Sequence, residues 1–73
     1  MEFVSATQEK FLAQLTARYQ KIADDATADL IRVDAAMPEP SSPDWAALQI
    51  IGMGLEGVVK GAESVAARAK EAI

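Results

Sequence analysis

Residues 38–61 read PEPSSPDWAALQIIGMGLEGVVKG. All three prolines of the chain fall in the first six positions of this stretch, and all four glycines in the last ten. The prolines decide the fold class. Proline lacks a backbone N–H and clashes with the preceding turn, so Pro38 and Pro40 stop a helix that arrives from the N-terminal side. Pro43 suits the first turn of a new helix, where the missing N–H costs nothing, and Ser41 or Ser42 can cap that helix. Asp44 adds negative charge near its positive end. The stretch therefore predicts one tight turn between two helices.

Outward from the turn, the chain is rich in Ala, Leu, Gln, Glu and Lys, which favour helix, and no segment reads as a strand. Helix 1 is expected over about residues 5–37. Ser5 can cap it, with Gln8 three residues later as in a capping box. Its apolar stripe runs Phe11, Leu15, Tyr19, Ile22, Ala26, Leu30, Val33, Met37, widened by Leu12, Ala23 and Ile31. The mean step of about 3.7 residues predicts a straight or slightly right-handed seam. Lys10, Lys21, Asp24, Asp25 and Arg32 occupy the opposite face.

Helix 2 is expected over about residues 43–73. One seam reads Trp45, Leu48, Gly52, Leu55, Val59, Ala62, Ala66, Ala69, Ile73, in steps of three and four with no polar residue. That is a heptad pattern built largely from small side chains. A second apolar row lies beside it: Ala47, Ile51, Gly54, Val58, Val65, Ala72. The polar face is narrow, chiefly Gln49, Glu56, Lys60, Glu63 and Lys70. A five-residue turn, 38–42, makes the helices antiparallel. The expected fold is all-α: one domain over residues 1–73, an antiparallel two-helix hairpin.

A hairpin buries one face of each helix. Helix 2 has nearly two apolar faces, so one stays uncovered, and a large exposed apolar patch marks an interaction site. Size points the same way. A core this small rarely supplies more than about 3–5 kcal/mol unless disulfides, a metal or partner chains add to it. The sequence has no cysteine and no histidine, which excludes disulfides and the common zinc and copper sites. Oligomerisation, or exceptionally good helix packing, remains.

The glycines bear on how partners would meet. Each costs a helix interior about 1 kcal/mol relative to alanine. Gly57-Val-Val-Lys-Gly61 has the small-xxx-small spacing that lets two helices approach closely. One reading is a groove for a neighbouring helix; the other is a kink or break at Gly52–Gly54. The expected assembly interface is Trp45, Leu48, Gly52, Leu55, Gly57, Val58, Gly61, Val65 and Ala69.

Chemistry is expected to be absent: no catalytic residue, no cofactor, no metal. Asp24, Asp25 and Asp29 read as a solvated, salt-bridged face with Lys21 and Arg32 rather than a cation site. Ser41 and Ser42 lack a histidine base. GMGLEG, residues 52–57, matches G-x-G-x-x-G by letter but follows no strand. Eleven acidic and seven basic residues give a net charge of −4, against a nucleic-acid binder. MEFVSATQEK has neither a basic start nor an apolar run, so no secretory signal is expected. The location is left open between the cytoplasm and export by a route without a signal.

The turn region VDAAMPEPSSPDWAALQ, residues 33–49, resembles the needle subunits of type III secretion systems. Those are short helical hairpins whose helices meet at a Pro-Ser-Asp-Pro-type turn before an Ala/Leu-rich second helix. The matching positions are Pro40, Ser41, Ser42 and Pro43, then Ala46, Ala47, Leu48 and Gln49. Ser42 stands where the family usually has an acid or amide, and helix 2 is richer in glycine and alanine. The resemblance implies a protein exported without a signal that polymerises into a hollow filament, helix 2 near its axis. Trp45 beside the turn is also similar to the small secreted Trp-x-Gly helical hairpins, with Ala47 in place of their glycine.

The function expected is that of a non-enzymatic structural subunit that self-assembles through helix 2, as in a secreted filament or needle. Two alternatives use the same apolar surface. One is a small chaperone or adaptor that binds a partner helix. The other is an amphipathic protein of the membrane surface, suggested by the uncharged segment around Trp45–Leu55.

Overall fold

A computed structural model describes residues 6–72. Two helices, α1 (Ala6–Ala36) and α2 (Pro43–Ala72), pack along each other as an antiparallel hairpin. The described residues contain no strand. Each helix is about 45 Å long at 1.5 Å per residue. The cap expected at Ser5 and the last seam position, Ile73, lie outside the described residues.

The turn is built as its residues dictate. The Met37 amide donates to the Asp34 carbonyl at 3.3 Å, tightening the end of α1 just before Pro38. The Ser42 amide donates to the Glu39 carbonyl at 2.9 Å, closing a four-residue turn with Pro40 at its second position. Ser42 then caps α2: its Oγ accepts from the Asp44 amide at 3.3 Å, and its carbonyl from the Trp45 amide at 3.1 Å. Pro43 fills the first helical position. The cap belongs to Ser42 and not Ser41, so the two serines should respond differently to substitution. Ser42→Ala is expected to cost about 0.5–2 kcal/mol. Ser41→Ala should leave the thermal melt unchanged, and equal losses in the two variants would place the cap elsewhere.

The α2 seam is the inward face of the helix. Trp45, Leu48, Gly52, Leu55 and Val59 are half-buried along it, and Ala62, Ala66 and Ala69 are buried. On α1 the inward row begins at Leu12 rather than Phe11. It continues through Leu15, Tyr19, Ile22, Ala26, Leu30, Val33 and Met37, with Ala23 buried beside it. Phe11 is 58 % exposed and Ile31 65 %. The reason is register. Adjacent helical positions lie about 100° apart, so Phe11 and Leu12 cannot both face α2. Starting at Leu12 makes the α1 row step by three or four in near-heptad order, as the α2 seam does. Thr16 and Thr27 flank this row, and each hydroxyl donates to the carbonyl one turn back, Leu12 and Ala23, at 2.8 Å. Their polar atoms are thereby satisfied without a partner from α2.

α2 is continuous through its glycines, and no glycine has positive φ. The reading of a break at Gly52–Gly54 is thus set aside. Gly52 faces α1, where an added Cβ would lie 3.9 Å from Val33 Cγ1, an ordinary van der Waals contact. Gly52→Ala should therefore fit, gain a contact and raise helix propensity. The expected result is a gain of about 1 kcal/mol by thermal or urea melting. A lower melting temperature would mean that the helices lie closer at Gly52 than this geometry allows.

Two helices cannot enclose large side chains. Among the described residues, the buried core consists of five alanines: Ala23, Ala26, Ala62, Ala66 and Ala69. Every larger apolar residue of the seam keeps part of its surface in water. The radius of gyration, 17.1 Å, compares with about 11 Å for a compact domain of this length. The accessible surface, 5506 Å², exceeds by roughly 1,000 Å² what a compact monomer of this mass exposes. The hairpin alone is an under-buried rod.

Candidate assembly face

Folding divides the nine expected interface residues in two. Trp45, Leu48, Gly52, Leu55 and Ala69 face α1 and are used within the hairpin. Gly57, Val58, Gly61 and Val65 lie outside the seam and are exposed. The uncovered part of α2 is therefore the second apolar row, together with two residues that the expected interface omitted. Ile50 is 70 % exposed and Met53 69 %, beside Ile51 and Val58. The signal for them was present in the sequence. Between Trp45 and Val59 only Gln49 and Glu56 interrupt the apolar character of α2. A helix segment that is apolar nearly all round is one that expects cover on more than one side.

The glycines sharpen the shape of this surface. A Cβ added at Gly54, Gly57 or Gly61 would meet nothing within 4 Å. These positions form a low strip between taller neighbours, and the hairpin itself has room for side chains there. Nothing inside the fold requires glycine at the three positions; Gly52 differs in that an added Cβ there would touch Val33. Farther along the rod, Val65 and Arg68 of α2 border an open, mainly apolar groove whose other wall is Leu12 and Leu15. The apolar surface thus continues from α2 toward the side of α1.

No protein-family model, curated protein or solved structure matches this chain. The resemblance to needle subunits accordingly rests on residues 33–49 themselves. Of those, the Ser42 cap and the Pro40 turn have the geometry described above.

The polar features read as a solvated surface. Lys21 and Asp25 pair one turn apart at 3.9 Å, and Arg32 and Asp29 at 3.1 Å, all well exposed. Such pairs contribute about 0.3–0.5 kcal/mol each at most. Among the described residues, no three His, Cys, Asp or Glu side chains gather as a metal site. The letters GMGLEG sit inside α2, where the backbone amides are engaged in the helix and cannot cradle a phosphate. A second open groove, lined by Gln20, Asp24, Glu63, Ala66, Ala67 and Lys70, carries charges of both signs and no nucleophile with a base. No helix among the described residues is long and apolar enough to cross a membrane.

Proposed function

We propose that this hairpin is a non-enzymatic structural subunit that self-assembles through the outer face of α2, in the manner of a secreted filament or needle. The observation that carries the reading is the uncovered row Ile50, Ile51, Met53 and Val58 beside glycines that the hairpin does not itself need. The under-buried core supports it as well. Packing of like subunits around α2 would remove from water the partly exposed seam and the outer row together, and each Å² of apolar surface removed is worth about 25 cal/mol. Repeated helical subunits meeting along their lengths have no need of a metal, a disulfide or a large core of their own. An adaptor that holds a foreign helix would use the same surface but would stay a single hairpin when pure.

Electron microscopy and sedimentation velocity of the purified protein over a wide concentration range test the proposal. The expected result is ordered filaments or closed rings whose share grows with concentration. A species of single-hairpin mass at every concentration would overturn self-assembly and leave the adaptor reading.

A further inference from the structure

We draw no further inference here: the strongest candidate, the outward apolar patch of α2 around Ile50, Met53, Gly57 and Val58, belongs to the face already described, and nothing in the structure shows what covers it beyond that reading.

Discussion

Replacing Gly57 and Gly61 together by leucine is expected to abolish large species while making the single hairpin more stable. The two effects have separate causes. Within the hairpin, both positions are exposed and neither has a neighbour within 4 Å of an added Cβ, so the hairpin has room for a side chain to start there. Leucine is a better helix former than glycine by roughly 0.7 kcal/mol per site, so the isolated hairpin gains about 1–1.5 kcal/mol. Between hairpins, two leucines one turn apart would fill the low strip and hold a neighbouring backbone away. A close helix–helix contact that depends on small residues does not survive such bulk. Helical circular dichroism should be kept or strengthened, while sedimentation velocity shows the loss of large species. Gly57→Ala with Gly61→Ala adds far less bulk and should weaken assembly to a smaller degree. Large species that persist unchanged in the leucine variant would remove Gly57–Gly61 from the interface.

Ala66→Leu is expected to have the largest effect on the fold itself. Ala66 is 5 % exposed and lies in the buried alanine part of the seam. Three extra carbons there push the helices apart or turn toward the open groove beside Ala66 in a constrained rotamer, at a cost of about 1–3 kcal/mol. A two-helix chain of this size has roughly 3–5 kcal/mol to lose, so the variant should melt far below the parent or be largely unfolded at room temperature. The melt belongs at low protein concentration, where association adds little to the apparent stability. Ala67→Leu is the control. Its site is one residue on and exposed, and its melt should stay close to that of the parent. Equal melts for Ala66→Leu and the parent would show that the helices do not pack through the alanine seam.

The two variants separate the inner and outer faces of one helix, and those faces were not equally legible. The α2 seam could be read directly, because Trp45 to Ala69 steps by three and four without a polar interruption. A strict period leaves a helix only one way to present its apolar face to a single partner. The α1 row was less certain at its ends. Phe11 and Leu12 are both apolar and adjacent, and hydrophobicity alone favours the larger side chain. Register against the heptad order of α2 turned Leu12 inward, leaving Phe11 exposed.

The candidate face shows the same division. The surplus apolar surface on α2 and the second row that carries much of it were legible along the helix, but the expected interface mixed that row with seam residues. Trp45, Leu48, Gly52, Leu55 and Ala69 were spent on α1, and Ile50 and Met53 joined the uncovered side. Glycine spacing gave no means of telling Gly52 from Gly57, since both are small residues in an apolar helix. Their place relative to the seam separates them: Gly52 stands in the Trp45–Ala69 row and faces Val33, whereas Gly57 lies outside it.

By itself the sequence determined the two helices, the turn and the antiparallel pairing, because proline chemistry, capping and helical periodicity are local and act within a few residues. Tertiary structure alone decided whether Phe11 or Leu12 turns inward and which side of each helix remains in water. Those outcomes depend on one helix's register against the other, a property of the pair that neither helix carries alone.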